Sequence, residues 1–469
     1  MHSAHRWEHD SLGPVALAPD ALWGAQTERA RLNFRITGIS LASMPSLIVA
    51  LAMIKCAAAR SNAQIGLLTP DQASAIERAC AEIIAGRHHE AFPLDVIQGG
   101  AGTSVNMNAN EVIANIANEY LGGERGTYRF LHPNDHVNRS QSTNDVYPTA
   151  LRLSLIFALM PFRKALNNLA DAFFAKATEF RNVVKLGRTQ LQDAVPMTLG
   201  QEFSAFADAV RQESRRTEMA TDVLRVVNLG GTAIGTGINA PRGYIDTVLE
   251  ELRRISGVDL VRSSNLFQAS WDASDFVALS GHLKQIAVKI SKIANDIRLL
   301  SSGPRGGLGE IRLPDMQPGS SIMPGKVNPV IPEAVSQTCF QVIGNDTATA
   351  FAAEAGQLQL NAMEPGIAWN LHASIGLLSA AAEMFAETCV RGIESNDEQC
   401  RATVHESAGL ATALVPIIGY EKSAVLAKKA IFHRRSIAEV AVECGAITQE
   451  QALTLLAPET LACPHIPAP

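Results

Sequence analysis

Four polar segments, three of them glycine-containing, interrupt a chain that otherwise reads as helix, and each gathers groups able to hold or deprotonate a small acid. The most telling is Gly319-Ser320-Ser321-Ile322-Met323-Pro324-Gly325-Lys326-Val327-Asn328-Pro329. Its glycines suit a mobile flap, and it carries two hydroxyls, one ammonium and one amide. A flap of this kind can cover an anionic substrate and present a base once water is excluded. Read instead as an ordinary surface loop, it would leave Ile322, Met323 and Val327 in water, which makes that reading the poorer one.

The other three segments each lead into a helix. Gln98-Gly-Gly-Ala-Gly102-Thr103-Ser104 precedes Asn106, Asn108 and Asn110. Exposed N–H groups at a helix start suit a carboxylate or phosphate. The plainer alternative is that Thr103 or Ser104 caps its own helix, but capping leaves the asparagines, poor helix formers, unexplained. His132 to Asp145 brings Ser142, Thr143 and Asn144 to the next helix, and Gly187 to Pro196 carries Thr189 and Gln190. Any one of these alone would more often be structural than functional.

Several motifs fail on their own chemistry. Gly319 to Val327 superficially matches a nucleotide P-loop, but the glycines are one residue too far apart and Val327 replaces the Ser/Thr that would hold Mg²⁺. Gly235-Thr-Gly237-Ile-Asn-Ala240 matches a dinucleotide fingerprint, yet Pro241 follows at once and no strand precedes it. His132 and His136 have ligand spacing for one helix face, but Pro133 and Asn134 indicate a turn and no third ligand is evident, so no metal is expected.

Long helices must position these segments. Phe276, Leu279, Leu283, Ile286, Ile290, Ile293, Ile297 and Leu300 follow at gaps of three and four, as do Leu155, Leu159, Phe162, Leu166, Leu169 and Phe173, with Pro161 predicting a kink. Thr69-Pro70-Asp71-Gln72 reads as a capping box that opens a helix ending near Gly86. Short strands are expected between Pro14 and Gly38. Glu394 to Gln399 marks a boundary before a tail of short helices at Glu421–Val442 and Thr448–Leu455.

The 469 residues are 47% apolar and only 18% charged, a balance that favours additional burial in subunit contacts. A net charge of −6 offers no basic footprint for nucleic acid and no polybasic membrane anchor. The longest strongly apolar run, Leu47 to Ile54, stops at Lys55, and Met1 to Asp10 lacks the apolar core of a secretion signal. Seven scattered cysteines without a C-x-x-C pair read as reduced thiols in a cytoplasmic protein.

Together these residues resemble the aspartase/fumarase superfamily from about Trp7 to Leu455. The flap segment matches its catalytic loop, with support from Gly99–Ser104, Gln141–Asp145, Gly187–Pro196 and Ala355-Gly-Gln-Leu-Gln-Leu-Asn361. The resemblance implies a mainly α, three-domain fold: a mostly helical domain over 1–141, a long-helix bundle carrying the flap over 142–396, and a small helical domain over 397–469. It implies a homotetramer with a twenty-helix core and active sites shared by three subunits, acting on a small dicarboxylate with no required cofactor. Mg²⁺ activation is not readable from the sequence.

By the same resemblance Ser320 is the general base, and Lys326 and Asn328 hold a substrate carboxylate. Thr103, Ser142, Thr143, Asn144, Thr189 and Gln190 bind the carboxylates or the amino group, and Arg29 and Glu333 support them from outside. Gln190 stands where fumarases have a histidine, so the branch that expels ammonia from aspartate fits best. A fumarase, a lyase for a modified aspartate and a non-catalytic structural homologue remain as alternatives. Departures from the family pattern fall at Gln268 and Trp271, at Leu414-Val-Pro416, at His433-Arg-Arg-Ser436 and in the last residues, Cys463 to Pro469.

Overall fold

The structure, a computed structural model, describes residues 5–463; the first few residues read for a secretion signal and the last few of the tail lie outside them. Strands β1 (Arg6–Asp10) and β2 (Gly13–Leu17) form an antiparallel hairpin, followed by helices α1 (Ala25–Asn33), α2 (Pro45–Gln64), α3 (Pro70–Ile84) and α4 (Thr103–Tyr120). The middle of the chain holds α5 (Thr143–Glu179), the antiparallel pair β3 (Val184–Thr189) and β4 (Gln192–Thr198), and α6 (Leu199–Asp222). Next come β5 (Val226–Val227), α7 (Arg242–Ser256), β6 (Val261–Arg262), α8 (Ser274–Leu300), β7 (Ile311–Arg312), α9 (Val330–Glu354) and α10 (Glu364–Thr388). After β8 (Glu394–Ser395) lie α11 (Asp397–Glu406), α12 (Val415–Ile418), α13 (Tyr420–His433), α14 (Ile437–Glu443), α15 (Gln449–Leu455) and α16 (Pro458–Leu461).

The periodic stripes become the bundle core. Every stripe residue of α8 from Phe276 to Leu300 is at most 5% exposed, and those of α5 from Leu155 to Phe173 are wholly buried. A three–four repeat keeps one face turned inward over the length of a helix, and burying that face stabilises the bundle. Pro148 and Pro161 lie inside α5 without ending it. Thr69 makes the expected capping box with Gln72, and Gly86 turns the chain out of α3 at φ +87°. The expected strands begin earlier than read, at Arg6, and part of the stretch up to Gly38 is the helix α1. Past Lys55, which ends the apolar run, α2 continues to Gln64, with the lysine wholly buried. By length and composition alone, the helical spans Pro45–Gln64 and Glu364–Gly392 could cross a membrane.

Contacts group the residues into two compact units. One takes the chain up to Arg163, with Arg216–Gln285 and Gln341–Leu377; the other takes Lys164–Arg215, Ile286–Phe340 and everything from Leu378. In the first, α2 packs against α3 and α7. Glu111 of α4 accepts the backbone N–H groups of Gly24, Gln26 and Thr27 (2.9, 2.9 and 3.1 Å), supplying the cap that Gly24 cannot give α1. In the second, Val184 and Leu186 of β3 share a core with Val404, Leu410, Leu414 and Leu426. An aromatic cluster of Phe173, Phe180, Phe203, Phe206 and Phe385 packs edge to face beside it.

Candidate active site

In the first unit two helix starts are brought together. Gly102 caps α4 at φ +82°, and a side chain there would lie 2.4 Å from the Tyr147 ring in the first turns of α5. Only glycine suits both the left-handed backbone and this close approach. Because Gly102 holds the cap position, neither Thr103 nor Ser104 caps the helix, contrary to the plainer alternative. The exposed Thr103 hydroxyl has no partner among the described residues, and the N–H groups of Ser104 and Val105 likewise lack acceptors there. Such a helix start favours an anion.

One turn along, the Asn106 amide donates to Thr143 Oγ1 (3.0 Å) and Asn138 Oδ1 (3.2 Å), tying α4 to the start of α5. Asn144 donates to the Ala233 carbonyl (2.8 Å) and its own carbonyl accepts from Asn228 (2.9 Å). Ser142 Oγ accepts the Asn144 N–H at 3.3 Å. Beneath them the buried Asp145 carboxylate takes N–H groups from Ser142, Gly230 and Thr232 at 2.9–3.0 Å. Burial pushes Asp145 up to about 6 despite those donors, and pushes the Lys55 ammonium down to about 7. Lys55 donates to Asn138 Oδ1 (3.0 Å) and Gln141 Oε1 (2.9 Å), so a buried cation anchors the loop that leads into Ser142.

Most of the α4 asparagines prove structural. Asn108 donates to the Ala91 carbonyl, Asn115 to that of Leu22, and Asn118 clamps Phe130 and Leu131. They tie loops to a buried helix. His132 and His136 are used locally as well: His136 Nδ1 accepts the His132 N–H (2.9 Å), and His132 Nδ1 accepts from Asn134 (3.2 Å). The turn expected between them is a π-helical one, Pro133–Val137. Arg29 is engaged away from these groups, bonded through Nε and a terminal nitrogen to the Asp10 carboxylate (2.7 and 3.0 Å) and to the Gly13 carbonyl.

The second unit carries the remaining candidates. Thr189 ends β3, and Gln190 (φ +55°) with Leu191 (φ +63°) makes the turn to β4. Two left-handed residues in a two-residue hairpin form the mirror-image turn usually built from Asn-Gly. Holding bulkier residues there costs about 1–3 kcal/mol each and persists only where surroundings dictate it.

The flap is pinched at its neck. A Cβ added to Gly319 would sit 1.4 Å from the Lys326 carbonyl oxygen, so the two backbones pass in contact. Above the neck, Met323 N–H donates to the Ser320 carbonyl and Lys326 N–H to the Met323 carbonyl, both at 3.2 Å. The Ile322 N–H donates to Ser320 Oγ at 3.3 Å. Ile322, Met323 and Val327 are 83%, 46% and 42% exposed in the single chain, so the covering expected for them does not come from within it. Lys326 makes no ion pair among the described residues. With Asn328 it lines a cavity of about 520 Å³ that also reaches Arg312, Asp315 and Glu394. Glu333, in the first turn of α9, lies 3.8 Å from Arg298.

The geometry thus supplies hydroxyl, amide and free N–H donors in one unit, and a hydroxyl, an ammonium and a strained amide turn in the other. Sequence reasoning singled out Asn106 without its link to Thr143, and missed the anchoring by Lys55. The signal for Lys55 was a lone cation on an apolar helix face.

Comparison with known proteins places this arrangement. A lyase family model matches residues 13–344, and the model for the C-terminus of fumarase C matches 410–463. Aspartate ammonia-lyase of Pseudomonas aeruginosa is 53% identical over 99% of this chain and 98% of its own; that of Escherichia coli is 46% identical over 96% and 95%. Among solved structures, a fumarate lyase/delta crystallin from Brucella melitensis bound to cobalt superposes with a TM-score of 0.96 at 55% identity, covering 98% of this chain and all of that one. A class II fumarase from Schistosoma mansoni gives 0.94 at 37% identity with the same coverage. The chain belongs to the aspartase/fumarase superfamily of lyases, with its mainly α fold and central bundle of long helices.

Proposed function

We propose that this protein is an aspartate ammonia-lyase, a carbon–nitrogen lyase that reversibly eliminates ammonia from L-aspartate to give fumarate. Curated aspartate ammonia-lyases at 46–53% identity over nearly the whole chain support it. The observation that carries it within the superfamily is Gln190. An amide cannot give a proton to departing hydroxide, whereas ammonia leaves unaided from an amine that is already protonated.

Ser320 removes the C3 proton. The C–H electron pair passes into the neighbouring carboxylate, giving an aci-carboxylate dianion. Collapse of that dianion forms the C2–C3 double bond and breaks the C–N bond, releasing ammonia. Serine is too weak an acid to serve unaided; the Ile322 N–H on its oxygen and the Lys326 cation on the same loop favour the alkoxide. Lys326 and Asn328 hold a carboxylate, and Thr103, Ser142, Thr143 and Asn144 offer the neutral donors that stabilise the dianion. Thr189 and Gln190 complete the cradle, with Glu333 behind. For Arg29 the bidentate contact with Asp10 favours a structural role instead.

Elimination moves no electrons between substrate and protein, so the reading requires no redox cofactor; added Mg²⁺ tests for activation. We place the enzyme in the cytoplasm as a homotetramer whose sites draw on three subunits. The exposed apolar flap residues support a shared site. The expected domains remain 1–141, 142–396 and 397–469. The test is conversion of aspartate to fumarate, followed by ultraviolet absorbance with matching ammonia. Hydration of fumarate to malate without amination would favour a fumarase, turnover of N-alkyl aspartates alone a modified substrate, and no turnover a structural homologue.

A further inference from the structure

Below the Gln190 turn, the second unit brings four charged side chains into contact, Lys185 and Glu310 buried and Arg188 and Glu202 partly so. The Glu310 side chain is wholly enclosed, with one oxygen accepting from Arg188 at 2.5 Å and the other 2.8 Å from the Lys185 ammonium. Lys185 also donates to Glu202 at 2.5 Å. In a regular strand, residues three apart point to opposite faces, so Lys185 and Arg188 should not reach one carboxylate. They do so where the β3–β4 register shifts between Leu186 and Arg188, the extra residue lying on β4 opposite Gly187. A bulge of this kind raises the local twist of the strand pair.

Glu310 itself is fixed by its backbone. Its N–H donates to the Leu300 carbonyl (2.9 Å), its carbonyl accepts the Asn396 N–H (2.9 Å), and β7 follows immediately, paired with β8. The anchor is thus rigid, while the turn it reaches is strained at Gln190 and Leu191. The four charges have no other evident use: the network sits under the hairpin rather than on the flap, and Arg188 directly precedes Thr189 and Gln190.

We propose that Glu310 is a positioning residue for ammonia elimination, holding the Thr189–Gln190 turn in its strained conformation through Arg188 across the bulge. The inference rests on the aspartate reading and adds to it a residue that never meets substrate. Removing the link lets the turn relax and misplaces the Gln190 amide while the chain stays folded.

The test compares Arg188→Met, Arg188→Lys and Glu310→Gln, each alone and combined with Gln190→Ala. The readouts are kcat/KM for aspartate, melting temperature and amide hydrogen exchange at residues 189–192. Arg188→Met is included because Glu310→Gln takes the carboxylate from Arg188 and leaves the buried Lys185 with Glu202 alone, and can fail to fold. Expected is a drop in kcat/KM of at least about tenfold for Arg188→Met with faster exchange confined to the turn, and recovery of most activity in Arg188→Lys. In the Gln190→Ala background the same substitution should lower kcat/KM by clearly less than it does in the parent, because one of the two positioned groups is already gone. Arg188→Met within twofold of the parent, or an undiminished drop in the Gln190→Ala background, overturns this proposal alone. A parent inactive on aspartate overturns the functional reading and this proposal with it.

Discussion

Thr143 and Ser320 stand at opposite extremes of local order. Thr143 begins a 37-residue helix, takes a hydrogen bond from Asn106, and rests on a loop tied to the buried Lys55 and Asp145. Ser320 sits in a loop whose hydrogen bonds above the neck are made within the loop itself, and whose apolar residues face outward. On the proposed mechanism, the donors that match a developing dianion are fixed before substrate arrives, which is where electrostatic stabilisation is most effective. The proposed base is carried on a segment with few anchors, as expected of a lid that must open.

That contrast can be broken at either end. Ser320→Ala should lower kcat by at least about a hundredfold, and by up to about ten-thousandfold, with KM changed far less, as loss of a general base does. Normal turnover in steady-state assays contradicts the assignment. Gly319→Ala places a Cβ against the Lys326 carbonyl and must open the neck. A displaced base of this sort costs about a hundredfold in kcat, and a melting temperature close to the parent's would show that the damage is confined to the flap.

Asn106→Leu tests the ordered end. It removes the donor to Thr143 and Asn138, and should raise KM about tenfold, consistent with about 1–3 kcal/mol for stranded polar groups. Unchanged KM would mean that the two helix starts need no link.

The smallest effect concerns stability rather than turnover. Burial pushes Glu364 up to about 8 from 4.5. A carboxyl with a raised folded value favours the folded state fully below pH 4.5, and that contribution is lost as pH rises towards 8. Glu364→Gln should therefore flatten the fall in melting temperature between about pH 5 and 8, by about 1 °C per kcal/mol recovered in a chain of this length. Parallel profiles for parent and variant would show that Glu364 does not titrate there.

The same contrast sets what could be read from the residues alone. The α5 and α8 stripes were legible because three–four periodicity is a local signal with one geometric meaning. The chemistry-bearing segments were legible because hydroxyls, amides and glycines gather where helices start. Lys55 does end the apolar run, but its burial was hidden, since it depends on Asn138 and Gln141, more than eighty positions away. The link from Glu310 to Arg188 was hidden for a similar reason: it spans 122 positions and lies beside a β4 bulge opposite Gly187 that strand alternation gives no sign of. The α4 asparagines looked like part of a binding site, but their partners are mostly backbone carbonyls of distant loops, which sequence spacing does not reveal.

Mixing two inactive variants, Ser320→Ala and Thr143→Val, and letting their subunits exchange tests the shared, flap-driven site most directly. Aspartate turnover should return in the mixture, because some hybrid sites combine an intact flap from one chain with an intact Thr143 from another. If exchange is verified by mass and the mixture stays as inactive as its components, the base and the donors come from the same chain and the account is wrong.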